Sequence, residues 1–221
     1  MAVLVFYSDA ADGFISSNNA SYDPARSGSG STLTADTTNT TATVGQYYYS
    51  SYYCYEAFIS FDTSALPDSV TPSSAILNLY GFQDNSTNAD FTFEARVYDW
   101  GTTLTTGDYV AGASLSALTS VATLSTASGW TTSGYNNLTD VALPANINKT
   151  GTTRLICCSS RQTNNTAAVG FESVSFYTTD ETGTTKDPTI TVTITTPVVS
   201  IKKISGVNRD QVKKLSGLVN A

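Results

Sequence analysis

The chain has 221 residues, of which 40% are hydrophobic, 13% charged and none histidine. Charge is about half the usual ~25%, while 13 Tyr, nine Phe and two Trp exclude a disordered chain, which is poor in aromatics. The net charge of −7 is unevenly placed: residues 1–200 hold six basic against seventeen acidic side chains, and residues 201–221 hold five against one. An acidic body repels nucleic acid and excludes it as a partner.

Short apolar or alternating runs recur along the chain, separated by Gly, Asn, Asp, Ser and Pro. Strands are therefore predicted at Val3–Tyr7, Gly13–Ser16, Gln46–Tyr49, Tyr53–Phe61, Ala75–Phe82, Asp90–Trp100, Ser120–Leu124, Leu138–Leu143, Thr153–Ser159, Gly170–Tyr177 and Thr189–Thr195. That makes about ten strands at sandwich spacing, an all-β jelly-roll β-sandwich with a short C-terminal extension. Between the second and third runs, residues 17–45 are rich in Gly, Ser and Thr and predict a flexible loop, pinned to the acidic body by Arg26. Alternation puts Leu77 and Leu79 on one face, with Ile76, Asn78 and Tyr80 on the other. It likewise puts Phe91, Phe93, Ala95 and Val97 opposite Thr92, Glu94, Arg96 and Tyr98. Glu94 and Arg96 then form an exposed pair worth at most ~1 kcal/mol. Pro197 ends the last strand, so residues 1–196 form the jelly-roll domain and residues 197–221 an appended tail.

Met1–Phe6 lacks a basic start, and its apolar run stops at Tyr7-Ser8-Asp9, too short for a secretory leader. No run approaches the ~20 apolar residues of a membrane span. Synthesis in a cytoplasm, without membrane insertion, is the expectation.

Catalytic chemistry has little to work with. Histidine is absent, and the body's only lysines are Lys149 and Lys186. Glu56 and Glu172 could pair as in a glycosidase, but both lie inside aromatic-rich strands, where a hydrogen-bonded carboxylate is the simpler reading. No catalytic residue and no cofactor is expected. Asp9, Asp12 and Asp180 keep a structural calcium ion open as an option, although none has EF-hand spacing. Cys54, Cys157 and Cys158 lack zinc spacing and read as core thiols, with a disulfide from Cys54 to one of the others left open.

Six tyrosines crowd residues 46–55. Tyr47, Tyr48, Tyr49, Tyr52 and Tyr53, with Trp100 and Trp130, are candidates for a glycan platform or a subunit contact, since interfaces are also rich in Tyr.

The stretch Ala57-Phe58-Ile59-Ser60-Phe61-Asp62-Thr63-Ser64-Ala65-Leu66-Pro67, followed by Ala75-Ile76-Leu77-Asn78-Leu79-Tyr80, resembles the DNRLRE-type carbohydrate-binding-module-like jelly roll. Val97-Tyr98-Asp99-Trp100, Leu138-Thr139-Asp140-Val141 and Asp187-Pro188-Thr189-Ile190-Thr191-Val192 agree with it. The pattern departs at Tyr55-Glu56, where the family often has Arg. Within it, Asp62, Thr63 and Ser64 have the chemistry of an Asx or ST turn.

The end of the chain repeats a phrase. Ile201-Lys202-Lys203-Ile204-Ser205-Gly206-Val207 returns as Val212-Lys213-Lys214-Leu215-Ser216-Gly217-Leu218. Such tags resemble those ending structural proteins of tailed bacteriophages. The segment is too short to bury its own aliphatics, so Ile201, Ile204, Val207, Val212, Leu215 and Leu218 are expected to fill grooves on a partner. Lys202, Lys203, Lys213 and Lys214 would meet carboxylates there, and two tandem units would add avidity. The sequence thus predicts a non-enzymatic virion protein, a capsid decoration (cement) or related head or tail surface subunit. Its partners would be the major capsid or tail protein and its own copies. A carbohydrate-binding module for a host glycan is the alternative.

Overall fold

A computed structural model describes residues 1–140 and 142–195, together with the backbone of Lys203–Ile204 and Val207–Asn208. In chain order the strands are β1 (Ala2–Tyr7), β2 (Gly13–Asn19), β3 (Thr32–Asp36), β4 (Thr41–Tyr49), β5 (Ser51–Asp62), β6 (Pro72–Asn85), β7 (Thr92–Val97), β8 (Ser120–Ser125), β9 (Tyr135–Thr139), β10 (Thr152–Ser159), β11 (Phe171–Tyr177) and β12 (Thr189–Ile194). Among the described residues three short α-helices accompany them, besides three single 3-10 turns: α1 (Tyr22–Ser27), α2 (Gly112–Leu115) and α3 (Ser160–Thr163). All the sheet pairings are antiparallel. Eight strands close a barrel in the order β6, β11, β4, β5, β10, β7, β8, β9 and back to β6. Four strands lie outside the ring: β12 and β1 extend from β6, and β2 and β3 extend from β5.

Two long strands make this closure possible. β5 pairs with β4 through Ser51–Tyr55 and then with β10 through Ala57–Asp62. β6 pairs with β12 through residues 72–78 and with β11 through residues 81–85. Each changes partner where a side chain would not fit. Gly45, at φ +122, ends the described β4–β5 pairing, and any Cβ there would strike the Glu172 carbonyl. Gly81 begins the β6–β11 pairing, and its missing Cβ admits the Thr131 carbonyl.

The barrel interior is apolar. Phe61, Phe93, Phe176, Leu77, Leu79, Leu138 and Leu155 are fully buried there, each worth about 1.5–3 kcal/mol by transfer from water. Trp130 lies stacked on Phe93, with centroids 5.6 Å apart. A second core lies outside the ring, where Ile15, Phe58, Ile156 and Cys158 meet Trp100, Leu104, Val110 and Leu115. Hence β5 and β10 are buried on both faces, which explains their unbroken apolar runs.

Several expectations hold. Each of the eleven predicted runs overlaps a strand. Leu77 and Leu79 are buried while Ile76, Asn78 and Tyr80 are partly exposed. The Asp62 carboxylate accepts from the Ser64 N–H at 3.0 Å. All three cysteines are buried and free, so the disulfide option falls.

Other expectations are overturned. Residues 17–45 are not a flexible loop: they hold the end of β2, α1, β3 and the start of β4. Tyr22, Ala25, Leu33 and Ala35 supply enough apolar surface to dock the segment, and Gly28 at φ +73 ends α1. Arg26 does pin it, but to main-chain carbonyls of α3, at Gln162 and Thr163, rather than to carboxylates. Glu94 and Arg96 pair at 2.8 Å, yet Arg96 is buried, with Leu118 O and Thr163 Oγ1 completing the site. The outer layer covers the face that alternation had assigned to solvent.

Candidate functional site

Tyrosines at successive strand positions point to opposite faces, and the crowded stretch divides accordingly. β4 and β5 form a tight hairpin through Ser50, which adopts φ +56, with Tyr49 and Ser51 paired across it. On one face Tyr47 stacks on Tyr53 at 4.4 Å and lies 5.8 Å from Tyr55. Phe171 of β11 extends the row at 5.5 Å from Tyr47, and Phe14 of β2 lies 6.0 Å from Tyr55. The result is a ladder of five rings across four strands, partly open to solvent. Burial raises the pKa of Tyr47 and Tyr55, so both hydroxyls stay protonated and can donate.

Tyr48 and Tyr52 lie on the opposite face, 4.6 Å apart, with Tyr22 edge-on to Tyr52 at 5.5 Å. Tyr49 stands at the hairpin tip, 73% exposed. The structure therefore divides the five singled-out tyrosines between two faces and a tip. It adds Phe14, Tyr55 and Phe171, which only the strand register brings to the ladder. Trp100 and Trp130 are 4% and 5% exposed and serve the two cores, so neither can present a face to a sugar or a subunit.

Behind the ladder lies a polar layer. The Tyr22 hydroxyl donates to Gln46 Oε1 at 3.0 Å, and Gln46 Nε2 donates to Glu172 Oε2 at 2.9 Å. Arg161 Nε donates to that same oxygen, and the Val169 N–H donates to Glu172 Oε1 at 2.8 Å. Both oxygens of Glu172 thus have donors, and Arg161 supplies a cation. Glu56 differs. The Val110 N–H donates to its Oε2 at 2.9 Å, Oε1 has no partner, and complete burial raises its pKa well above the carboxylate range. Glu56 and Glu172 are held by separate partners, and each has a structural role sufficient to explain it.

The acidic turns converge in part. Asp12 accepts from Ser8 Oγ and from both the N–H and the hydroxyl of Thr179. Burial raises its pKa to about 6, and the neighbouring charge of Asp180 adds to the rise. Asp9 accepts from Ser60 Oγ at 2.6 Å and from the Ala11 N–H. These carboxylates tie the Ser8–Asp12 turn to β5 and to the turn after β11. Among the described residues, no group of three or more Asp, Glu, Cys or His could hold a metal ion.

In the tail, Lys203 pairs with Asn208 and Ile204 with Val207 in a short antiparallel ladder. The side chains of Lys203, Ile204 and Val207 lie outside the described residues. So do Ile201, Lys202, Val212, Lys213, Lys214, Leu215 and Leu218. Among the described residues no helix is long and apolar enough to cross a membrane. Neither a protein-family model nor a curated protein sequence matches the chain.

Proposed function

We propose that the chain is a non-enzymatic structural subunit of a tailed-phage virion, a capsid decoration (cement) protein or a related head or tail surface subunit. Its body serves as a DNRLRE-type jelly-roll scaffold, and its tail clasps a neighbouring virion protein. One observation carries this reading: within one chain, an acidic body is joined to a duplicated basic and aliphatic tag. The tag's lysines suit acidic surfaces like the chain's own, while its aliphatics need a groove on another molecule to leave water. Two copies of one short unit suit repeated, equivalent sites, where tandem engagement multiplies affinity. The test is assembly of particles with the chain lacking residues 201–221. Loss of the protein from purified particles is the expected result, and undiminished incorporation refutes the reading.

The aromatic ladder favours a second reading, a carbohydrate-binding module, because partly open rings flanked by Tyr hydroxyls can stack on the apolar faces of sugars. A glycan array probed with the full chain separates the two. Saccharide binding abolished by Tyr47→Ala supports the module, and a blank array leaves the ladder a packing device.

A further inference from the structure

β1 is an edge strand without the usual protection. It pairs with β12 on one side, and among the described residues the chain elsewhere meets another strand only just beyond its end, at the bridge between Ser8 and Phe61. Edge strands are commonly blunted by Pro, Lys, a bulge or an inward charge. The sequence Ala-Val-Leu-Val-Phe-Tyr has none of these. Instead Val3, Val5 and Tyr7 are 61%, 49% and 52% exposed, all on the outward face of the strand.

That face continues over three more strands. The register sets Tyr7 beside Thr189, Asn78 and Asn137, and Val5 beside Thr191, Ile76 and Thr139. Val5, Tyr7, Asn78, Tyr135, Asn137, Thr189 and Thr191 line a shallow groove of about 300 Å³. Across β1, β12, β9 and β6 the only charged residue is Asp84, near the far end of β6. This neutrality stands out in a body with seventeen acidic and six basic residues. Two copies of so acidic a body approach most easily where charge is absent.

We infer that β1 is the contact between two copies of this chain, paired antiparallel about a two-fold axis so that two sheets become one. Identical strands in antiparallel pairing are self-complementary, as an isologous interface requires. Alternate residues of β1 turn both N–H and C=O toward the open side, and the second copy satisfies them. With the axis through Leu4, Val3 of each copy sits beside Val5 of the other, a β-branched cross-strand pair. The lysine-bearing tail is a poorer occupant, since β1 and β12 offer its lysines no carboxylate, and carboxylates lie instead at Asp84 of β6 and at Asp140 beyond β9. The inference deepens the reading above by naming where copies meet. It concerns purified protein alone, so its failure leaves attachment to a particle untouched.

Sedimentation of the full chain over a range of concentrations tests it. A dimer is expected, together with a monomer for the double variant Val3→Lys/Val5→Lys, in which like charges oppose across the axis. Val169→Lys, also at an exposed apolar site, is expected to stay dimeric. Amide exchange covers the case in which the double variant does not fold: β1 amides of the native chain should slow as concentration rises through the dimerisation range. A native chain that stays monomeric up to about 0.1 mM, in the millimolar-to-micromolar range of weak association, overturns the inference. So does a folded double variant that remains dimeric, a dimer abolished by removing residues 201–221 but not by the two lysines, or β1 exchange independent of concentration.

Discussion

The two cores of this protein are built differently. Inside the barrel, Phe93, Phe176, Leu77, Leu79, Leu138 and Trp130 belong to one apolar cluster, in which the Trp130 Nε1 is a buried polar atom without a partner. Outside it, on β2, β5 and β10, the apolar cluster of Phe58, Ile156 and Trp100 shares a layer with buried Glu56, Gln46, Ser17 and Gln162. The interior is held by shape and dispersion, which are non-directional. The outer layer depends on hydrogen bonds that must each find a partner, and some do not: Ser17 Oγ, Glu56 Oε1, Trp100 Nε1 and Gln162 Nε2 lack one. Such groups cost stability and persist where something else fixes the arrangement. The barrel carries the fold, and the outer layer positions α1, α2 and α3 over it.

Truncation inside the barrel should have the largest effect. Phe93→Ala removes a fully buried ring that stacks on Trp130 and lies 6.3 Å from Phe176. A loss of about 3–5 kcal/mol is expected from transfer and cavity terms together, read as a fall in the denaturant midpoint at unchanged slope. In the outer layer, the comparable break is Arg161→Ala. It strips the cation from Glu172, whose side chain is fully buried, and leaves Gln46 and Val169 to hold the charge. A loss of about 3 kcal/mol is expected, and the double variant Arg161→Ala/Glu172→Gln should recover part of it. Equal losses in single and double variants would mean that packing, rather than the unpaired carboxylate, sets the cost.

The same contrast decides what the sequence could disclose. Barrel strands other than β5 and β10 have one face in the core, so period-two alternation marks them, as at Leu77 and Leu79 or Phe91 and Phe93. Strand existence is therefore legible, and so is the Asp62 turn, whose hydrogen bond is local. Closure of the ring is not. It depends on β5 and β6 changing partners along their length and on Gly45 and Gly81 tolerating a carbonyl from a distant segment. The outer layer is illegible for a related reason. Thr32–Asp36 has only Leu33 and Ala35 to mark it as a strand, and the burial of Arg96 comes from α3 and the segment before β8. The aromatic run is visible as composition, but Phe14 and Phe171 join the ladder only through register. Burial of Trp100 and Trp130 has no local sign at all.

Acidity provides a gentler probe of the outer layer and the turns. Asp12 has its pKa pushed by burial to about 6 from an ordinary value of 3.8. A raised carboxyl pKa contributes stability that is complete below the unfolded value and lost as pH rises through the folded one. Stability is thus expected to fall between about pH 4 and pH 6 by on the order of 1–3 kcal/mol from this group. Asp12→Asn should flatten that interval while keeping an acceptor for the Thr179 N–H. Glu56 acts in the same direction, because complete burial raises its pKa well above the carboxylate range. Glu56→Gln, which keeps an acceptor for the Val110 N–H, is expected to remove the part of the pH-dependent loss that comes from Glu56. Thermal melts of the three proteins across pH 4–9 read both effects. A native chain gaining stability from pH 4 to 6 would contradict the burial of Asp12.

The smallest expected stability effect lies in the ladder, and its smallness carries the argument. Tyr53→Ala removes a ring stacked 4.4 Å from Tyr47, but that ring is partly solvated and sits outside both cores. A loss of about 0.5–1.5 kcal/mol follows from one aromatic pair, well below that of Phe93→Ala. If the ladder is only a packing device, Tyr53→Ala and Tyr47→Ala should cost similar amounts, with little more in the double variant, because each single change already breaks the stack. If it is a binding platform, both single variants should lose saccharide retention far out of proportion to their stability. A cost near that of Phe93→Ala would instead place the ladder among the structural cores, and the protein would then have a third core that faces water.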